Sequence, residues 1–326
     1  MIVIFSDQAD SSTCDVIDWL IKEKVDFVRI NTDENFDIDI CINNDTNSAV
    51  LYYKGQKIDT DTIKGVWYRR GGYFNLGKQI NWQEFSASVT AKRELNSDLW
   101  NEKKSISTYL YTLLSDKNSI NSFFTSTPNK LWMLKEAANC GLDIPKTIIT
   151  SSKSVLKEFK EEYGAVITKG IDESIHFGDD EQFYSVYTEE VDIDNVPDTF
   201  FPSKFQQKID KEFEIRTFYF FEKMYSMAIF SQKNENTVTD FRKYDERKPN
   251  RCVPYILPEK VEQSINKLMK KMDLNCGSID LIYNTNNEYV FLEINPVGQF
   301  SMTSIPCNYN LEKVIADKLV YFERNN

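Results

Sequence analysis

The fold is decided by two runs near the end of the chain, Gly277-Ser278-Ile279-Asp280-Leu281-Ile282-Tyr283 and Tyr289-Val290-Phe291-Leu292-Glu293-Ile294-Asn295-Pro296. Both runs are rich in β-branched and aromatic residues. A polar segment, Asn284-Thr285-Asn286-Asn287, separates them, so the pattern predicts a β-hairpin. A two-residue turn at Asn286-Asn287 would pair Thr285 with Glu288, Tyr283 with Val290 and Asp280 with Glu293.

This pairing would place three oxygen-bearing side chains on one face of the hairpin. Side chains alternate along a strand, so Glu293 and Asn295 share a face, and the turn brings Asp280 opposite Glu293. Facing carboxylates repel each other unless something offsets their charge. Two acids and an amide oxygen suit a hard cation such as Mg²⁺, which proteins usually hold with a few carboxylates and substrate phosphates. The alternative is a half-exposed hairpin whose polar face meets only water.

Composition narrows the function classes. The 326 residues are enough for two or three domains, and the net charge of -11 argues against a general nucleic-acid binder. No apolar run approaches ~18 residues, and the first seven residues lack a basic leader, so neither a membrane span nor a signal peptide is expected. The six cysteines form no CxxC pair, which favours reduced thiols in a cytoplasmic protein. A single histidine, His176, leaves little room for histidine-based catalysis.

The first part of the chain has a βαβ pattern over 1–45, which predicts an α/β unit with a parallel sheet. A strand over 63–68 then leads to Arg69-Arg70, a pair that either binds phosphate or carboxylate or is simply solvated. One or two long helices are expected over 82–116. After a polar boundary, Thr127 is predicted as the N-cap and Pro128 as the first residue of the next helix. Lys130 then lies in the first turn, where the helix dipole disfavours a cation, so we expect it to meet an anion.

The second part alternates short strands and helices before it becomes antiparallel. Lys169 ends a strand over 165–170, and an acidic, aromatic stretch follows over 171–200. Three consecutive antiparallel strands are predicted over 204–209, 213–221 and 224–232, with Glu214 and Arg216 on one face of the middle strand. A polar loop over 233–251, a helix over 258–272, the hairpin and a last helix over 310–322 complete the chain.

Four motifs in this order resemble the ATP-grasp ligases: Asn129-Lys130 with Gly141-Leu142 and Ile144-Pro145; Ile167-Thr168-Lys169-Gly170; Gln206-Gln207 with Phe213-Glu214-Ile215-Arg216; and Asp280 with Glu293-Ile294-Asn295-Pro296. Two further stretches, Trp67–Gly72 and Leu292–Phe300, resemble the graspetide (microviridin-type) peptide ligases, in particular the grasp-with-spasm maturases. The resemblance implies an α/β (α+β) ATP-grasp fold in three parts. These are an N-terminal doubly wound α/β domain over 1–117, a central subdomain over 118–203 and an antiparallel catalytic subdomain over 204–326, with ATP between the last two.

The resemblance also implies roles for individual residues. Lys130 and Lys169 would hold the ATP phosphates. Gln206, Gln207, Lys208 and Ile209 match the linker that contacts adenine, and Glu212 and Glu214 compete for the ribose. Asp280, Glu293 and Asn295 would hold two Mg²⁺ ions. Arg216 is a candidate for neutralising an acyl phosphate, and Arg242 and Arg251 are candidates for orienting the substrate carboxylate.

The activity implied is ATP-dependent cross-linking of a ribosomally made precursor peptide. Asp or Glu side chains would be phosphorylated and joined to Thr or Ser as ω-esters, or to Lys as ω-amides, with release of ADP and phosphate. The 171–200 insert is the candidate surface for the leader of that peptide, and a homodimer is implied by the resemblance alone. The alternatives are an amino-acid or glutathione-type ligase of small molecules and a nucleotide-binding regulatory protein without turnover.

Overall fold

The computed structural model describes residues 1–76, 86–171, 176–178, 183–185, 188–231 and 250–325. The chain divides into two compact units. The first comprises 1–126 together with 310–326, and the second comprises 127–309. The three-part division at 117 and 203 stays a prediction.

The first unit is built on a parallel sheet, as the βαβ pattern predicted. Its elements are β1 (Ile2–Ser6), α1 (Ser11–Lys22), β2 (Phe27–Asn31), β3 (Asn35–Ile42), β4 (Asn47–Tyr53), β5 (Gln56–Asp59), β6 (Gly65–Tyr68), β7 (Asn75–Leu76), α2 (Val89–Leu113) and β8 (Asn118–Ile120). The parallel sheet has the order β2-β1-β6-β8, and a second sheet has the order β5-β4-β3-β7. Strand β3 was not predicted, and the helix expected over 82–116 is α2, capped by Ser88, whose side chain accepts a hydrogen bond from the Ala91 amide.

The second unit contains two antiparallel sheets that matter for function. Its elements are α3 (Lys130–Asn139), β9 (Thr147–Ser152), α4 (Lys153–Tyr163), β10 (Val166–Thr168), β11 (His176–Gly178), β12 (Phe183–Ser185), β13 (Glu189–Glu190), β14 (Thr199–Gln207), β15 (Lys211–Phe220), β16 (Lys223–Phe230), β17 (Arg251–Tyr255), α5 (Glu259–Lys271), β18 (Cys276–Asn284), β19 (Tyr289–Asn295) and α6 (Ser301–Cys307). One sheet has the order β13-β10-β14-β9 and the other the order β17-β16-β15-β18-β19, while β11 and β12 pair with each other.

The last helix, α7 (Leu311–Arg324), belongs to the first unit although it comes last in the sequence. It packs against α1 and β6. Its buried face includes Leu311, Ile315 and Leu319, which recur at helical spacing. None of the helices in the described part of the chain combines the length and the apolar character that crossing a bilayer requires.

The predicted hairpin is formed by β18 and β19, and its loop is longer than predicted. Asn284 pairs with Glu288, and Asn287 adopts a left-handed conformation with φ of 64°. The loop therefore has three residues rather than two, and Tyr283 pairs with Tyr289 instead of Val290. A β-bulge at Leu292 then shifts the register back by one residue, so that Asp280 lies opposite Glu293 as predicted.

The start of α3 differs from the prediction. Helix α3 begins at Lys130, and its N-cap is Asn129, whose side-chain oxygen accepts hydrogen bonds from the Leu131 and Trp132 amides at 3.0 Å. The prediction of Thr127 as cap and Pro128 as first helical residue was wrong. An asparagine two residues later satisfies two of the orphan amides of the first turn, and this fixes the helix start.

Candidate active site

The candidate active site is a cleft in the second unit between the two antiparallel sheets. It encloses about 720 Å³, counted out to its open mouth. The lining combines apolar side chains with charged ones: Pro145, Ile167, Lys169, Thr188, Gln206, Gln207, Ile209, Glu214, Ile215, Arg216, Ile229, Asp280, Leu281, Ile282, Leu292 and Glu293. Most of the predicted site residues are thus brought to one place.

At the charged end of the cleft, two lysines lie close to the carboxylate of Glu293. Lys130 Nζ lies 3.4 Å from Glu293 Oε2, and Lys169 Nζ lies 3.6 Å from the same oxygen. Lys130 reaches this point from the first turn of α3, and Lys169 reaches it from the end of β10. The prediction that Lys130 meets an anion is confirmed, because the carboxylate that it meets is Glu293.

A third lysine, Lys204, lies close to this group and was missed in the sequence. Only 3% of the residue is exposed. Burial lowers the pKa of Lys204 to about 8; the charges of Lys169 and Lys130 add to this effect, and that of Glu293 opposes it. The signal was present in the alternation of β14, since Lys204 shares a strand face with Gln206, a residue of the cleft lining.

Asp280 is paired with Arg216 across the β15–β18 ladder. Arg216 Nη1 donates to both carboxylate oxygens of Asp280 at 2.8 and 3.1 Å, and Arg216 Nη2 donates to Gln299 Oε1 at 3.4 Å. Both charged side chains are more than nine-tenths buried. Gln299 follows the hairpin directly, so this stretch orients the arginine as well as supplying the acids.

The two acids that compete for the ribose have different environments. Glu214 lines the cleft, where its carboxylate accepts hydrogen bonds from Lys211 Nζ at 2.6 Å and from Ser231 Oγ at 3.1 Å. Burial raises the pKa of the Glu214 carboxyl, and Lys211 opposes that shift. Glu212 is exposed and lies outside the lining. Which of the two binds ribose stays a prediction.

The predicted adenine linker runs along the apolar end of the cleft. Gln207 and Ile209 line the cleft, whereas Lys208 forms an ion pair with Glu190 at 2.6 Å. Gln206 also lines it and donates from Nε2 to Thr147 Oγ1 at 3.0 Å. The amides of Gln207 and Lys208 donate to the carbonyls of Lys146 and Ala165, but the Ile209 amide has no partner among the residues that the structure describes. That amide is therefore available to a ligand.

The third predicted metal ligand, Asn295, is held by a tight turn. Its side-chain oxygen accepts a hydrogen bond from the Val297 amide at 3.1 Å, and its carbonyl accepts one from the Gly298 amide at 3.0 Å. Gly298 has φ of 63°, and a Cβ there would lie 3.1 Å from the Phe218 ring. A glycine is thus required to fix the asparagine next to the acids.

These donors fit a magnesium ion that arrives with a nucleotide better than a site that is complete in the protein. In the described part of the chain, no group of three or more His, Cys, Asp or Glu side chains is arranged to hold a metal. Two carboxylates and an amide oxygen are instead grouped beside lysines, and Mg²⁺ sites of this kind are completed by phosphate oxygens and water. The negative charge of Asp280 is offset by Arg216, and that of Glu293 is offset by Lys130 and Lys169.

The remaining predicted residues lie elsewhere. Arg251 is exposed at the start of the edge strand β17, where its guanidinium stacks over the Phe230 ring, and it is not part of the cleft lining. Arg242 lies outside the described residues, as do most side chains of the 171–200 insert. At the end of that insert, Phe200 packs against Phe205, whereas Phe201 is exposed.

The pair Arg69-Arg70 has an internal partner in the first unit. Arg69 is buried, and its Nε donates to Asp10 Oδ2 at 3.0 Å. Although burial opposes it, the charge of Arg69 and the hydroxyls of Ser12 and Thr13 lower the pKa of Asp10. Arg69 is therefore not simply solvated but pairs with a carboxylate of the chain itself, and binding of an external phosphate or carboxylate by the pair stays a prediction.

Comparisons with known proteins agree with this geometry. Residues 1–109 match the family model of the MvdD pre-ATP grasp domain. A search of curated protein sequences gave no significant match. Among solved structures, the chain is similar to macrocyclase MdnC from Microcystis aeruginosa MRC bound with precursor peptide MdnA, with 25% identity, a TM-score of 0.80 and coverage of 98% of this chain and 99% of that chain.

Two further structures have the same fold. The RiPP-associated ATP-grasp ligase of Chryseobacterium gregarium, in complex with ADP and a leader and core peptide, has 25% identity and a TM-score of 0.81, covering 99% of this chain and 96% of that chain. ATP-grasp ligase PsnB complexed with minimal precursor, Mg and ADP has 14% identity and a TM-score of 0.73, with coverage of 99% of this chain and 97% of that chain. At this identity the similarity shows only a shared fold. The predicted α/β ATP-grasp fold is confirmed.

Proposed function

We propose that this chain, which is related to the ATP-grasp peptide ligases by its fold and its first domain, is an ATP-dependent ligase that cross-links side chains of a ribosomally made precursor peptide. The observation that carries the proposal is the cleft. It places lysines, two carboxylates and an arginine at one end and an apolar strip with an available amide at the other. A nucleoside triphosphate has the matching arrangement of polyanion and flat base.

Nucleotide binding follows from the two ends of the cleft. Ile167, Ile209 and Leu292 offer apolar surface to the base, and the Ile209 amide donates to a ring nitrogen. Lys130 and Lys169 neutralise the phosphates, since a lysine is a compact charge on a long stem. Both lysines form ion pairs with Glu293, which positions their ammonium groups before a nucleotide binds. The phosphates of the nucleotide would then replace Glu293 as the partner of these lysines.

Asp280, Glu293 and Asn295 would hold Mg²⁺, which when bound supplies charge neutralisation to the phosphates. Glu293 and Asn295 share a strand face, and Asp280 lies opposite Glu293. Arg216 offsets the charge of the buried Asp280 carboxylate and orients it through two hydrogen bonds.

The first step joins the substrate to phosphate. An Asp or Glu carboxylate oxygen of the peptide attacks the γ-phosphorus, the bond from that phosphorus to the bridging oxygen breaks, and ADP leaves. Arg216 and the lysines stabilise the negative charge on the transferring group, and no nucleophile from the protein is required. This agrees with a chain that has one histidine.

The second step forms the cross-link. A Thr or Ser hydroxyl, or a Lys amine, attacks the acyl carbon, the bond from that carbon to the phosphate oxygen breaks, and inorganic phosphate leaves as the nucleophile loses its proton. Because both groups belong to one peptide, the contribution of the protein is to hold them close together. A ligase of free amino acids would have no need of a peptide substrate, whereas the MdnC structure contains a precursor peptide and the Chryseobacterium gregarium structure contains a leader and core peptide.

We further propose a cytoplasmic location, which is supported by six free cysteines and by the need for ATP. Arg251 and Arg242 as carboxylate-orienting residues, the 171–200 insert as the leader surface and a homodimer remain parts of the same proposal.

The test is incubation with ATP, Mg²⁺ and candidate precursors rich in Thr/Ser and Asp/Glu, with ADP and peptide mass as readouts. We expect ADP to form in step with the loss of one water mass per bond. Glu293→Gln should abolish both, whereas Glu288→Gln, an exposed residue of the same hairpin outside the cleft lining, should change neither. ADP formation that depends on free amino acids, with no change in any peptide, would contradict the proposal.

A further inference from the structure

Lys204 is held in an unusual position for a lysine. It lies in β14, which is paired on one side with β9 and on the other with β10. Phe205 points away from the cleft into an apolar cluster that includes Leu156 and Val166. The alternation of side chains therefore directs Lys204 to the same face as Gln206, which lines the cleft.

The side chain of Lys204 is almost entirely buried, although it ends in an ammonium group. The residue is 3% exposed, and its Nζ makes no hydrogen bond or ion pair with any residue that the structure describes. Burying a charge without a partner is unfavourable, so such groups are retained where something else requires them. Lys130 and Lys169 differ in this respect, because each has Glu293 within 4 Å.

The surrounding charges leave this part of the cleft positive. Arg216 is balanced by Asp280, and Lys211 is balanced by Glu214. Among the residues that the structure describes, the ammonium groups of Lys130, Lys169 and Lys204 remain at the charged end against the carboxylate of Glu293, and Lys204 interacts electrostatically with the other three groups. An excess of two positive charges in a half-enclosed cleft suits a polyanion.

We propose that Lys204 is a third phosphate-binding lysine, which contacts the triphosphate of the bound nucleotide beside Lys130 and Lys169. This inference rests on the proposed function as far as ATP binding is concerned and does not depend on the peptide substrate. The backbone of Lys204 is held within a sheet, whereas Lys130 lies in the first turn of a helix and Lys169 follows the end of a strand. The Lys204 carbonyl also accepts a hydrogen bond from Thr168 Oγ1 at 3.0 Å.

The experiment measures nucleotide affinity by calorimetry, without peptide, for the full chain and its variants. The probes are a non-hydrolysable ATP analogue with Mg²⁺ and adenosine alone. We expect Lys204→Met to weaken binding of the ATP analogue about tenfold or more, the range of a charge-assisted hydrogen bond. Adenosine affinity should remain unchanged, and Lys270→Met, an exposed lysine of α5, should leave both affinities at the wild-type value.

Lys204→Gln is the second variant, and it should show the same selective loss even if the methionine variant does not fold. The inference is overturned if both folded variants bind the ATP analogue as tightly as the wild type, or if they lose adenosine to the same extent, which would indicate a collapsed cleft. A wild-type chain that binds the ATP analogue but cross-links no peptide would contradict the proposed function and leave the role of Lys204 intact. A wild-type chain that binds no nucleotide would contradict both.

Discussion

Replacing Lys204 by methionine should stabilise the second unit of the apo protein at neutral pH. Burial lowers the pKa of Lys204 from its ordinary value of 10.5 to about 8. One pKa unit corresponds to ~1.4 kcal/mol, so a charged Lys204 costs the folded state about 3 kcal/mol below pH 8. Methionine has a similar volume and carries no charge, so the variant avoids this cost.

The sign of the pH dependence is fixed by proton binding. Between pH 8 and 10.5 the unfolded chain holds the Lys204 proton and the folded chain does not, so the free energy of unfolding of the wild type rises with pH. The advantage of Lys204→Met should therefore be largest below pH 8 and shrink towards pH 10.5.

The assay is urea unfolding in the presence of EDTA, followed by the fluorescence of Trp132, the one tryptophan of residues 127–309, in a background in which Trp19, Trp67, Trp82 and Trp100 are replaced by phenylalanine. A probe inside the second unit is needed because the two units need not unfold together. A variant that is no more stable than the wild type at pH 7, or a difference that does not change with pH, would refute the reasoning.

Three further changes have expected outcomes. Glu293→Gln should bind Mg²⁺-free ATP more tightly than the wild type, because Lys130 and Lys169 lose their carboxylate, and calorimetry in EDTA checks this; equal or weaker binding would contradict the shared ion pairs. Asp280→Asn should lower the free energy of unfolding by about 3–5 kcal/mol, since it leaves Arg216 buried with a neutral partner, and urea denaturation should show it; a loss near zero would mean that the pair is not buried. Gly298→Ala should lower the melting temperature by an amount that corresponds to at least ~1 kcal/mol, because φ is positive and the added Cβ meets Phe218 at 3.1 Å; a thermal melt like that of the wild type would show that the turn can relax.

The pairing of Asp280 with Glu293 was predicted correctly from the sequence, although the hairpin differs from the prediction in two ways. The effects of these two differences on the register cancel each other. Pattern and turn composition indicated a two-residue turn, whereas Asn284 and Glu288 close a three-residue loop. The bulge at Leu292 then restores the opposition of Asp280 and Glu293. A bulge leaves almost no sequence signal, because it depends on the twist and packing of the whole sheet.

A charged residue could be assigned to the cleft from the sequence when it stood in a recognisable motif. It could not be assigned when only the packing of the folded chain brings it there. Lys130 and Lys169 stood in recognisable patterns, and the structure brings both to Glu293. Alternation placed Lys204 on the same strand face as Gln206, but Lys204 looked like an ordinary strand residue, because alternation alone does not say that this face is buried. The partner of Arg216 was equally invisible, since the β15–β18 pairing joins residues that are 64 positions apart.

Phosphorylation of a peptide side-chain carboxylate by ATP in this cleft can be followed with an oxygen label. The Asp and Glu carboxylates of a precursor are labelled with heavy oxygen, and the label is traced during cross-linking. We expect one labelled oxygen in the released inorganic phosphate for each bond formed, with ADP as the nucleotide product. Label that appears in AMP, or that never leaves the peptide while the bond forms, would contradict it.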